Sequence, residues 1–168
     1  MSCIRVWVGD LHEYNCGRLV GGWVDVEPGM DDEEAREALG IPEEHETAIF
    51  DYECDIAYYK PDEYDQIEHL AEIVDAWGQL DDDGQTAVSA LMYNGDDIDY
   101  AFDHASDCIV WSGRSMRDIA EDYAENLLEG VPDEVARYFD YDAYARDIAI
   151  DGNFIEADRL NAIVEVIG

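Results

Sequence analysis

The run Asp81-Asp82-Asp83-Gly84 has the residue types of a calcium loop. With Gly84 as the loop glycine, Gln79 takes the first position and Ala90 the last, where a bidentate Glu is required. The spacing excludes that site, and the run reads as a turn and helix start. His12, His45, His69 and His104 form no HExxH pattern and stand beside no cysteine, so no metal site is expected. Carboxylate pairs occur throughout, which removes their value as a mark of acid–base catalysis. Gly-rich phosphate loops and a GxSxG elbow are missing from the sequence. The expectation is a protein that is not an enzyme and needs no cofactor.

What the carboxylates can do together is different. There are 43 Asp and Glu against nine Lys and Arg in 168 residues, a net charge of −34. Solubility needs a net charge of only about 2 to 8 in a small domain. The excess destabilises the chain by self-repulsion, so a function must retain it. Nucleic acids and anionic membranes are excluded as direct partners; a strongly basic surface is the natural one, and most such surfaces bind nucleic acid. Duplex DNA carries one charge per roughly 1.7 Å, so a charge of this size matches about 58 Å of duplex. To imitate DNA well, the molecule would have to be elongated.

The charge is unevenly compensated. From Pro61 to Gly113 the sequence has 14 acids and no Lys or Arg. The candidate acidic surface comprises Asp31, Asp32, Glu33 and Glu34, then Asp62, Glu63, Asp65, Glu68, Glu72 and Asp75. It continues through Asp81, Asp82, Asp83, Asp96, Asp97, Asp99 and Asp103 to Asp118, Glu121, Asp122, Glu125 and Glu129. Like-charged pairs four apart on a helix, such as Glu68/Glu72 and Glu121/Glu125, each cost about 0.2–0.5 kcal/mol. Four residues rise about 6 Å, a repeat comparable with charges along a nucleic-acid strand. Two other readings fit the composition: solvated faces in a halophile-adapted interaction domain, and a mimic aimed at another DNA-binding protein.

The elements that must hold these groups can be read in outline. Cys3–Val8 and Leu19–Val26 read as paired strands, with Gly21 and Gly22 marking a bulge or a close backbone approach. A short helix, Asp31–Leu39, opens on four acids at its positive end and closes on Gly40; Thr47–Tyr52 is a third strand. Ile67, Leu70, Ala71, Val74 and Trp77 share one face of a helix, and Glu68, Glu72 and Asp75 another. Gln85–Tyr93 is a second helical segment, and a third follows Asn94-Gly95. After a strand at Cys108–Trp111, Ser115 caps a helix over Met116–Leu128, with Met116, Ile119, Ala120, Tyr123 and Leu127 on its apolar face. Asp133–Ile148 reads as one further helix and Asn153–Ile167 as a hairpin. The fold class is α+β, in three small domains: an α+β unit over 1–60, an acidic helical unit over 61–105, and an α+β unit over 106–168. No leader or membrane span is apparent, and Cys3, Cys16, Cys54 and Cys108 form no CxxC, so a cytoplasmic protein with reduced thiols is expected.

Three fragments, in order, resemble the ArdA antirestriction family: Tyr14-Asn15-x-Gly17-x-Leu19-Val20-Gly21-x-Trp23; Asp51-Tyr52-Glu53; and, near the end, Gly130-Val131-Pro132 with Asp140-Tyr141-x-Ala143-x-Ala145-Arg146-Asp147 and Gly152. The resemblance implies an elongated row of three small domains, paired as a two-fold homodimer whose acidic surface imitates bent duplex DNA. It further implies an inhibitor encoded on mobile genetic elements that occupies the DNA groove of type I restriction–modification enzymes. The family's antirestriction motif corresponds to Gly130–Asp147, which makes Val131, Pro132, Val135, Tyr138, Phe139, Tyr141 and Tyr144 the candidate dimer contact. The middle unit matches the family least, and Cys3, Cys16 and Cys108 are particular to this chain.

Overall fold

A computed structural model of the chain describes residues 2–167. Its contacts divide it into two compact units, Met1–Asp81 and Asp82–Gly168. Each contains one three-stranded antiparallel sheet, so the fold is α+β.

The first unit runs β1 (Ile4–Asp10), α1 (Leu11–Asn15), β2 (Gly21–Asp25), α2 (Asp32–Leu39), β3 (Thr47–Cys54) and α3 (Ile67–Gly78), with sheet order β2-β1-β3. Alternation in β1 sends Ile4, Val6 and Val8 into the core, where α3 contributes Ile67, Leu70, Ala71, Ile73 and Val74. On the other face Arg5 bridges Asp25 and Glu53 across the sheet and lies over the Trp23 ring. The register slips between Trp7 and Val8, leaving Phe50 as the extra residue of a β-bulge; its ring stacks on Trp7. Gly21 is a close backbone approach, as its sequence position suggests: a Cβ there would lie 2.1 Å from the Val8 carbonyl oxygen. Gly40 closes α2 with φ +69°, a left-handed conformation that glycine adopts without strain.

The second unit runs α4 (Asp82–Tyr93), α5 (Ile98–His104), β4 (Cys108–Ser112), α6 (Met116–Leu127), α7 (Asp133–Ala136), α8 (Tyr141–Asp151), β5 (Phe154–Ile155) and β6 (Ala162–Val166). Its sheet order is β4-β6-β5, so the C-terminal strand is central. Val88, Leu91, Ile119, Ala124 and Val164 are among its buried side chains.

Local structure refines the sequence reading at four points. The segment after β1, to which no element was assigned, begins with α1, because Asp10 accepts a hydrogen bond from the Glu13 amide (3.2 Å) and caps it. The second helical segment, read as roughly Gln85–Tyr93, starts at Asp82, so the Asp81–Gly84 run is the helix start it was read as, with Gly84 inside the first turn. The helix read over Asp133–Ile148 is broken after Ala136; Asp140 accepts from the Ala143 amide (3.0 Å) and starts α8 afresh. On α6, Leu127 is 58% exposed and Ala124 is fully buried, so the apolar face is centred on Ile119, Ala120 and Ala124. The Ser115 cap holds as read, with Asp118 completing a capping box.

Candidate functional site

None of the candidate surface acids is buried. Asp31, Asp32, Asp65, Asp96, Asp118 and Asp122 are half-buried, and the others are exposed. Several also do structural work. In the first unit Asp31 caps α2 by accepting from the Glu34 amide (2.8 Å), beside Glu33. Glu68 on α3 accepts from the Asp32 amide (3.0 Å), so one carboxylate ties the start of α2 to α3. Asp32 also receives the Arg36 guanidinium, which donates to the carbonyls of Pro42 and His45. Before α3, past Glu63, Asp65 accepts from the Asp62 amide (2.7 Å) and Asp62 from the Tyr64 amide (3.1 Å). Glu72 and Asp75 project from the exposed side of α3, and Asp81 is exposed at the end of this unit.

In the second unit Asp82 and Asp83 sit in the first turn of α4, where the helix dipole favours negative charge. Asp97, next to Asp96, caps α5 by accepting from the Tyr100 amide (2.9 Å); Asp99 and Asp103 lie four apart on that helix. On α6 the charge is answered: Arg114 pairs with Asp122 (3.1 Å), and Arg117 with Glu121 (3.2 Å) and with Asp142 of α8 (2.8 Å). Glu125 and Glu129 stay exposed. Helix α3 has no such arginine, and its like-charged face stands closest to a row of uncompensated charge.

The candidate dimer residues divide by exposure. Pro132, Val135 (60%) and Tyr138 (82%) are exposed, while Val131, Phe139, Tyr141 and Tyr144 are half-buried. Phe139 meets the edges of Tyr141 (5.0 Å) and Tyr144 (5.5 Å), so these aromatics already pack against one another within the unit.

Two groups were not picked out in the sequence. His45 reaches across 35 positions to bond buried Asp10 (Nδ1–Oδ2, 2.7 Å), stacks on His12, and forms with Glu13 a cluster able to supply three metal ligands. Within it His45 donates its Nδ1–H to Asp10 and Glu13 accepts from Arg18, so these groups tie distant segments of the unit together as a folding contact. Burial pushes the Asp10 carboxyl up, but hydrogen bonds from His45 and from the Glu13 and His12 amides outweigh this and hold it below the usual carboxylate range. The sequence carried a signal for part of this group, Asp10 followed three residues later by Glu13, the spacing of a capping box. In the second unit the Tyr123 hydroxyl donates to the carboxylate of Glu165, itself only 8% exposed. Burial, reinforced by that carboxylate, pushes the phenol up to about 12.

A family model described as antirestriction protein (ArdA) matches residues 6–159. The chain belongs to this family. Comparison with curated proteins gave no match. Membership of the ArdA family implies antirestriction, by inhibition rather than catalysis, and contact with restriction enzymes. Among the described residues no helix is long and apolar enough to cross a membrane.

Proposed function

We propose that this chain is a stoichiometric mimic of duplex DNA that occupies the DNA-binding groove of type I restriction–modification enzymes. The observation that carries the reading is the exposed carboxylates between Lys60 and Arg114, a stretch without Lys or Arg. These groups stand in for phosphates and engage the basic side chains that hold the DNA backbone. Base edges have no counterpart in such a surface, so inhibition extends across enzymes that read different sites. Binding weakens as salt rises, because screening acts on exposed charges.

In this reading Glu33, Glu34, Glu63, Glu72, Asp75, Asp83, Asp103, Glu125 and Glu129 contribute by charge. Asp31, Glu68, Asp97 and Asp118 combine charge with a structural hydrogen bond. Two copies pair through Val131, Pro132, Val135, Tyr138, Phe139, Tyr141 and Tyr144, and the protein works in the cytoplasm that holds its target.

The test is a competition titration. A type I methyltransferase bound to labelled duplex containing its site is challenged with the protein across a salt series. Displacement at about one dimer per enzyme, weakening with salt, supports the proposal. Folded protein that displaces nothing at low salt removes this target and leaves a mimic of another DNA site in front. A chain that unfolds at low salt points instead to halophilic adaptation.

A further inference from the structure

A cavity of about 430 Å³ in the second unit plays no part in the acidic surface. Tyr123, Tyr144, Ile148 and Phe154 line it, together with the acidic residues Asp151 and Glu165. Glu165 is 8% exposed, and its side chain has one partner among the described residues, the single hydroxyl proton of Tyr123. A carboxylate offers about four acceptor positions. A buried charge so thinly satisfied is unfavourable until a further donor or a cation reaches it. Aromatic walls around a carboxylate suit a guanidinium, which stacks on rings and bonds a carboxylate through two N–H groups.

The same unit carries an arginine with nothing to hold. Arg5, Arg18, Arg36, Arg114 and Arg117 each pair with a carboxylate. Arg137 is exposed, and its guanidinium makes no hydrogen bond or ion pair among the described residues, although the chain contains 43 acids. It stands between exposed Val135 and Tyr138, and the adjoining Phe139 packs edge-on against Tyr144, a wall of the cavity. Arg146 is also exposed and unpaired among the described residues, but it follows Tyr144 by two positions, about 200° round α8 and away from that wall. Phe139 thus links the segment that carries Arg137 to a wall of the cavity, and a two-fold contact lets residue i meet j while j meets i.

We propose that a second copy of this chain inserts Arg137 into the Tyr123–Tyr144–Phe154 cavity, where Glu165 and Asp151 hold its guanidinium, and that the reciprocal insertion completes a two-fold pair. The inference rests on the pairing proposed above and names the contact that fixes it. The exposed apolar side chains favour a second copy over the basic groove of an enzyme: Ile167, which also lines the cavity, is 63% exposed, and Val135 and Tyr138, on the segment that carries Arg137, are exposed too.

The experiment is sedimentation equilibrium on the full chain, comparing native protein with Arg137→Gln, Glu165→Gln, the double variant and Arg146→Gln. Each of the first two is expected to raise the dimer dissociation constant at least tenfold. The double variant should be no weaker than the worse single one, because both remove the same contact. Arg146→Gln should leave pairing unchanged. Should Glu165→Gln lose its near-ultraviolet circular dichroism, Arg137→Gln decides alone, since that side chain supports nothing in its own chain. Native dimer with an equally tight Arg137→Gln dimer overturns this contact while leaving the pairing intact. Strictly additive effects, or equal weakening by Arg146→Gln, overturn it as well. Native protein that stays monomeric at every concentration overturns the pairing and the contact together.

Discussion

Neutralising the exposed side of α3 should weaken target binding and strengthen the fold at once. Glu72→Gln with Asp75→Asn removes two exposed charges from a helix that has no arginine. Asn keeps the acceptor oxygen that Gln79 bonds at position 75 (3.0 Å). Glu68 is left alone, because it accepts the Asp32 amide and lies in the first turn, where its charge is favourable. An exposed carboxylate meeting a basic group contributes about 0.5 kcal/mol. Two therefore contribute about 1 kcal/mol, or roughly a fivefold loss of affinity. Within the chain the change acts the other way. It relieves the Glu68/Glu72 repulsion of about 0.2–0.5 kcal/mol and removes a charge from the C-terminal half of the helix, where the dipole opposes it. Relief of about 0.5–1 kcal/mol raises the melting temperature by about 2 °C in a chain of this size. Competition binding at low salt and thermal unfolding in the same buffer read the two effects. Lower affinity together with a lower melting temperature would trace the loss to folding damage. Unchanged affinity would remove α3 from the working face, and complete loss of inhibition would point to a discrete site.

The other expectations follow from single residues. Asp10 has a lowered folded pKa, so its stabilisation is fully present above the ordinary carboxylate value of about 3.9 and is lost as pH falls through the folded value. Asp10→Asn should flatten the acid limb of stability below about pH 4, read as urea midpoint against pH; an unchanged limb would refute its role. Replacing Asp140 with Ala removes the cap of α8 and should cost about 1 kcal/mol in chemical denaturation. A variant as stable as the native protein would mean that the break before α8 does not depend on Asp140. All four thiols are free, and they should react in an order set by exposure: Cys16 first as the exposed one, Cys54 last because burial pushes it up to about 11. Mass spectrometry after brief alkylation at pH 8 checks the order, and early modification of Cys54 would contradict it.

Local signals located most of the elements. Alternation marked β1, the 3.6-residue period marked α3, and the Ser115 cap and Gly40 marked ends of helices. Misreadings arose where two local signals competed. Over Asp133–Ile148 the helical pattern is continuous, yet Asp140 can bond the Ala143 amide only if the helix stops before it, and that bond forms. On α6, hydrophobicity placed Leu127 inside, but α6 packs against α8 along a narrow buried stripe, and the smaller Ala124 lies on that stripe.

The sequence by itself determined the magnitude and sign of the charge, the stretch without basic residues and the α+β content, because composition and period are carried residue by residue. Family membership was legible for the same reason. Tertiary structure decided which acids are free to act and which serve the fold. Whether Glu68 caps another helix, whether Asp122 meets Arg114, or whether Glu165 lies beneath Tyr123 depends on segments 8 to 42 positions apart coming together. It likewise grouped α3 with the N-terminal sheet and α4 and α5 with the C-terminal one. Local propensity carries no signal for such pairings, since the burial that drives them exists only once the chain has folded.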